Sequence, residues 1–153
     1  MRRSTIVLVL MLASACNRSP TGPSVPGVTP GPNSGTWTGT LRDDANGQGD
    51  LRVALQDTLL NGNSVLSGTW ATTYADASKN AAGEASGGVT GTTVFLTLRR
   101  TPPLTCASAG LTPALNGGLV SLALTLSGRT IAGSYTYQAC AGAIPGTLTL
   151  TKQ

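Results

Sequence analysis

Residues 51–74 read LRVALQDTLLNGNSVLSGTWATTY, and this stretch decides the fold. Leu51, Val53 and Leu55 alternate with Arg52, Ala54 and Gln56, the period of two that places successive side chains on opposite faces of a strand. Asn61-Gly62 follows, a dipeptide suited to the positive φ angles of a tight hairpin. Leu66, Gly68 and Trp70 then alternate with Ser67, Thr69 and Ala71. The reading is strand, turn, strand, with one apolar and one polar face. Residues 120–140, VSLALTLSGRTIAGSYTYQAC, repeat the plan, and Trp70 and Tyr135 fall at matching places. A recurring hairpin style of this kind supports sequential antiparallel pairing.

The same alternation runs outward from these hairpins. Trp37, Gly39 and Leu41 alternate with Thr36, Thr38 and Thr40, and Val94, Leu96 and Leu98 with Phe95, Thr97 and Arg99. A glycine-rich stretch, 83–91, brackets Val89, and Leu148 and Leu150 stand between Thr147, Thr149 and Thr151. The chain of 153 residues holds 23 Thr, which suits outward strand positions because a β-branched side chain favours the strand and tolerates water. Asp43–Gly47 and Ser127-Gly128 supply further turns. Residues 75–83 and 107–115 each have room for one helical turn, and 101–118, with Pro102, Pro103 and Pro113, is the longest irregular stretch. The fold class is all-β: an antiparallel meander of about eight strands closing as a small up-and-down β-barrel, with a β-sandwich as the alternative. Closure removes exposed strand edges, and Gly39, Gly68 and Gly133 mark bends or close approaches at barrel corners. A transmembrane barrel is not expected. It needs strands of about 9–11 residues and aromatic girdles, whereas these runs read shorter and the chain has one Phe, two Trp and three Tyr.

Composition removes several functions. Without His there is no His-based triad and no His-containing metal site. A net charge of +4, with 10% charged residues, gives neither a basic nucleic-acid surface nor a coiled coil. The carboxylates are Asp43, Asp44, Asp50, Asp57, Asp76 and Glu84. DDANGQGD, residues 43–50, only loosely matches a calcium loop and reads as a solvated hairpin tip. Lys79 and Lys152 lack the Ser-x-x-Lys context of a serine nucleophile. No catalytic residue, metal ligand or cofactor is assigned, and the domain is expected to act without catalysis. Arg99-Arg100 reads as an outer-face or strand-end pair. Trp37, Trp70 and Tyr135 share the inward phase, as core fillers or as the lining of a ligand cavity.

The N-terminus is an address. Met1-Arg2-Arg3 is a basic start, Ile6–Ala13 is an apolar run too short to cross a bilayer, and Ser14-Ala15-Cys16 are small. Leu12-Ala13-Ser14-Ala15-Cys16 resembles the lipobox of bacterial lipoproteins, with Leu one place further from the Cys than the usual pattern has it. The resemblance implies cleavage after residue 15 and acylation of Cys16, hence a lipid-anchored protein of the bacterial cell envelope. Asn17, rather than Asp, leans toward the outer membrane, facing the periplasm or the cell surface. Two or three acyl chains anchor firmly, since each buried CH₂ contributes about 0.8 kcal/mol. Loss of Arg2 and Arg3 leaves eight cations against six anions, and nothing then asks for a nucleic-acid partner. Residues 16–33 comprise the lipidated Cys and a tether rich in Pro, Gly, Ser and Thr, unable to bury enough apolar area to order itself. Residues 34–153 form a single β domain. With Cys16 assigned to lipid, Cys106 and Cys140 remain, and in an oxidising compartment they are expected to pair as a disulfide worth about 4 kcal/mol.

Gly35-Thr36-Trp37, opening the first strand, is similar to the Gly-x-Trp that opens lipocalin barrels of the calycin group, and the domain size is similar to avidin-type and small exported protease-inhibitor barrels. Two functional readings follow. One is a membrane-anchored, non-enzymatic binding or structural domain. The other is a lipocalin-like carrier of a small apolar ligand, or an inhibitor-like barrel with a protein partner. They differ in interior volume: a carrier needs a concave cavity of at least roughly 300 Å³.

Overall fold

A computed structural model describes residues 28–103, 119–140 and 142–153. The signal segment, Cys16, Cys106 and residues 107–115 lie outside them. Nine strands run in chain order: β1 (Val28–Pro30), β2 (Gly35–Asp43), β3 (Gly47–Leu60), β4 (Asn63–Tyr74), β5 (Ala81–Thr90), β6 (Thr93–Arg100), β7 (Leu119–Ser127), β8 (Thr130–Ala139) and β9 (Gly142–Lys152). Strands β2 to β9 pair each with the next, all antiparallel, and β9 pairs back onto β2 through Trp37↔Lys152 to Asp43↔Gly146. The result is a closed eight-stranded antiparallel barrel, lipocalin-like in general shape, and the sandwich alternative falls away. Every expected strand is present. A short 3₁₀ turn, Ala77–Lys79, occupies the 75–83 stretch.

The turns form where their chemistry placed them. Asn61 and Gly62 adopt φ of 52° and 83° between β3 and β4, the two left-handed positions of a tight hairpin. At Gly39 and Gly68 an added Cβ would run into the backbone carbonyls of Thr149 and Ala54, so these are close approaches that no larger residue fits.

Alternation is strict on the inner face. Trp37 and Leu41 of β2, Leu51, Val53 and Leu55 of β3, Leu66 and Trp70 of β4, and Ala85 of β5 form one buried core. Val94, Leu96 and Leu98 of β6, Leu124 of β7, Ile131 and Tyr135 of β8, and Leu148 and Leu150 of β9 complete it. The strands are longer than the apolar runs suggested, with 14 residues in β3 and 12 in β4, because the ladders continue through polar residues at both ends. Length alone therefore does not exclude a spanning barrel. The outer wall does, because Thr36, Thr38, Thr40, Arg42, Asp50, Arg52, Gln56, Ser67 and Thr69 face outward. This inverts the apolar-out pattern that lipid requires. Among the described residues no helix is long and apolar enough to cross a membrane.

The expected disulfide needs correction. No disulfide joins two described residues, and Cys140, just beyond β8, is oxidised with a bond partner that is not among them. The Cys106–Cys140 pair is therefore no part of the described fold. The β2–β9 and β3–β4 ladders close the ring by backbone hydrogen bonds.

The barrel has two unlike ends. At one, three two-residue turns and the incoming chain form a seal. β1 continues the β2 side of β3 beyond Leu55, pairing Val28↔Leu60 and Pro30↔Thr58, so residues 28–33 belong to the fold although their composition reads as tether. Asp57, only 2% exposed, makes this ordering possible. Its Oδ2 accepts from the Asn33 backbone N–H at 3.0 Å and from Asn33 Nδ2 at 2.8 Å, and its Oδ1 accepts from Ser64 Oγ at 2.7 Å. Trp37 Nε1 donates to Asn33 O at 3.0 Å, and Lys152 Nζ donates to Pro32 O at 2.7 Å while lying 6.0 Å from the centre of the Trp37 ring. The other end, the mouth, carries the β2–β3, β4–β5, β6–β7 and β8–β9 connections.

Candidate functional site

The mouth gathers a second set of polar and aromatic inward-facing groups, distinct from Trp37 and Asp57 at the seal. Tyr74 ends β4, Tyr135 and Tyr137 lie near the end of β8, Asp43 ends β2 and Arg100 ends β6. All three tyrosines of the chain are thus at one end. Each of these residues continues the inward parity of its strand: Asp43 follows Leu41, Arg100 follows Leu98, and Tyr137 follows Tyr135. Arg99 faces outward opposite Glu84. Arg99-Arg100 are thus the strand-end pair that the sequence offers, with Arg99 on the outer face and Arg100 turned into the mouth.

Asp43 is the hub. It is 5% exposed, and its Oδ1 accepts from the backbone N–H of Ala45 at 2.9 Å and of Asn46 at 2.7 Å, and from Asn46 Nδ2 at 3.1 Å. These bonds fold the β2–β3 turn around the carboxylate. Oδ2 accepts from Tyr135 Oη at 2.7 Å across a buried path. The register explains how a tyrosine two strands away reaches it. Asp43, Gly146 and Tyr135 are direct partners across β2, β9 and β8. A Cβ on Gly146 would stand 2.7 Å from Tyr135 Oη and 2.6 Å from Arg42 O, so glycine opens the lane along which the ring lies. Tyr74 approaches from the other side. It is paired with Gly49, whose added Cβ would press on the Tyr74 ring, and its backbone N–H donates to Asn80 Oδ1 at 2.8 Å.

Burial pushes the Tyr135 phenol above its ordinary pKa, aided by its bond to the Asp43 carboxylate. Burial likewise raises Tyr74, with the Asp43 charge and Tyr137 adding to the effect. Both phenols are therefore held in the protonated form. Lys79 Nζ reaches from the 3₁₀ turn to Asn46 O at 3.3 Å and Ala45 O at 3.4 Å. The Arg100 guanidinium makes no hydrogen bond or ion pair within the described residues. Asp43, Trp70, Thr72, Tyr74, Arg100 and Tyr137 surround a recess of about 20 Å³, room for roughly one water.

The three aromatic residues singled out in the sequence are all buried, at 1% (Trp37), 6% (Trp70) and 0% (Tyr135). They do not line one cavity. Trp37 closes the sealed end, Tyr135 joins Asp43, and Trp70, whose Nε1 donates to Arg99 O at 3.1 Å, borders the recess. Among the described residues no group of three or more carboxylate or thiol ligands comes together, and in the 43–50 loop Asp43 points inward while Asp50 faces outward. Comparison of the chain with protein families and with characterised proteins finds no match.

Proposed function

We propose that this domain is a lipocalin-like, non-enzymatic binding barrel that takes its ligand at the mouth rather than in a deep axial cup. The observation that carries this reading is Arg100, a cation turned into an aromatic rim with no described counter-charge of its own. Asp43, the carboxylate that lines the same recess, is already engaged by Tyr135 and the β2–β3 turn. A recess of about 20 Å³ does not admit a ligand of the size that deep carriers hold. The chemistry at the rim fits a small amphipathic anion. Its apolar or aromatic body would rest on Tyr74, Tyr137 and Trp70, with its acid group toward Arg100 and Lys79. On the sequence features alone, the same reading keeps Cys16 as the acylated anchor to an envelope membrane.

Anilinonaphthalene sulfonate, an apolar anion, is the probe. The full chain should bind it saturably, with energy transfer from Trp70. Arg100→Ala should weaken binding about tenfold, the equivalent of one lost charge-assisted contact, and Tyr137→Ala by about as much through lost aromatic contact, while Lys152→Ala at the sealed end leaves it unchanged. Absence of saturable binding, or an equal loss from Lys152→Ala, would sink the proposal.

A further inference from the structure

The outer wall carries large exposed apolar side chains near the sealed end. The large apolar side chains exposed among the described residues are Leu60 (49%), Val65 (45%) and Phe95 (54%). Register brings them together. Val65, Gly88 and Phe95 are direct partners across β4, β5 and β6, and the side-chain-free Gly88 leaves the strip flat between the other two. Leu60 stands one step nearer the sealed end, opposite Asn63. Moving along this wall toward the mouth, the next outward row is Gln56, Ser67, Ser86 and Thr97, and the row after that includes Glu84 opposite Arg99. The wall thus grades from apolar to hydroxylated to charged over about 13 Å along the strands, given a rise of roughly 3.3 Å per residue. The first step, from the apolar row to the hydroxylated row, is about 7 Å, within the 5–10 Å to which interfacial elements sink into a bilayer.

The chain enters at the same corner, because Val28 pairs with Leu60. Cys16 lies twelve positions earlier, within at most about 40 Å of extended chain. We infer that Leu60, Val65 and Phe95 form a bilayer-resting surface, so that the sealed end faces the lipid headgroups and the mouth faces away from the membrane. The inference rests on the anchoring part of the proposed function. It gives the exposed strip an occupant, and it turns the end that carries Arg100, Tyr74 and Tyr137 toward the aqueous side.

The test uses the full chain, processed in its membrane and reconstituted in phosphatidylethanolamine–phosphatidylglycerol vesicles containing brominated lipid. Phe95→Trp reports the strip and Thr73→Trp reports the mouth end of the same wall, each read against the unsubstituted chain. The reporter at position 95 should lose most of its emission to bromine and shift to the blue, and the reporter at position 73 should do neither. Mass analysis of the same samples, with Cys16→Ser as control, reads acylation. An acylated chain whose position 95 stays unquenched overturns this inference alone. A chain without acyl mass overturns the anchoring reading and this inference with it. A concentration-dependent blue shift at position 95 without vesicles would make the strip a contact between copies, and would equally overturn it.

Discussion

Replacing Tyr135 by Phe removes one oxygen and leaves the ring in its lane over Gly146. The structure sets the expected cost. The phenol is fully buried and donates at 2.7 Å to Asp43 Oδ2. Once it is gone, Oδ2 retains only Asn46 Nδ2 at 3.2 Å, while Oδ1 keeps its three short donors. A carboxylate oxygen is then left nearly unpaired at a site that is 5% exposed. Loss of a hydrogen bond to a charged group costs about 1.5–3 kcal/mol, and the ring's apolar burial is unchanged. For a domain of this size that is a fall in Tm of roughly 5–15 °C. Urea unfolding followed by tryptophan fluorescence should show a lower midpoint with an unchanged slope, because the exposed surface does not change. Asp43→Ala should cost more, because it also releases the turn donors. The double variant should fall short of the sum of the two single changes by about 1–2 kcal/mol, the signature of directly coupled groups. A Tyr135→Phe loss below about 0.5 kcal/mol, or strict additivity with Asp43→Ala, would refute the view that this bond ties β8 to β2 across β9.

Three further outcomes are expected. Gly146→Ala should destabilise by about 1–3 kcal/mol through overpacking, since Tyr135 is enclosed and Arg42 O blocks the other side. Gly49→Ala should cost less, because half-buried Tyr74 has room to shift, and equal melting losses for the two variants would contradict this. Lys152→Met should cost about 1 kcal/mol by removing the bond to Pro32 O and the charge beside Trp37; an unchanged melting temperature would show that this corner of the seal contributes nothing. Raised phenol values mean that the folded chain holds protons the unfolded chain gives up. The stabilisation from Tyr74 and Tyr135 is therefore complete below the unfolded value near pH 10 and is lost as pH climbs through the folded values. Urea midpoints should hold steady up to about pH 9 and fall above about pH 10, less steeply in Tyr135→Phe. Phenolate absorbance from both residues in a still-folded chain near pH 10 would count against it.

The barrel was legible because its inner face alternates without interruption, and because Asn61-Gly62 and Ser127-Gly128 mark turns by their own chemistry. The two ends of the barrel were legible only in part. Extending the parity of β2 past Leu41, of β3 past Leu55 and of β6 past Leu98 reaches Asp43, Asp57 and Arg100. Charged residues are read by habit as the ends of strands, and the ladders in fact run through them. The pairing of Tyr135 with Gly146, and of Tyr74 with Gly49, depends on register between strands, which no single stretch of sequence encodes. The contrast between a sealed end and a mouth arises from Asn33 meeting Asp57 across 24 positions, a contact that hydrophobic alternation does not foreshadow.

The inward carboxylates have a consequence beyond their local bonds. Alternation rejects a strand slid by one residue, because every side chain would change face, but it is blind to a slide of two. In strands as monotonous as Thr147-Leu148-Thr149-Leu150-Thr151, such a slide would preserve every Leu on the inside. Asp43 and Asp57, one at each end of the inner face, break this degeneracy. Moving β3 by two residues toward the mouth would carry the Asp57 carboxylate to the level of Leu55 and strand it in the hydrocarbon interior, away from Asn33 and Ser64. The two acids act as end-stops on a sliding scale, and they select one alignment where the repetitive middle of the barrel would accept several.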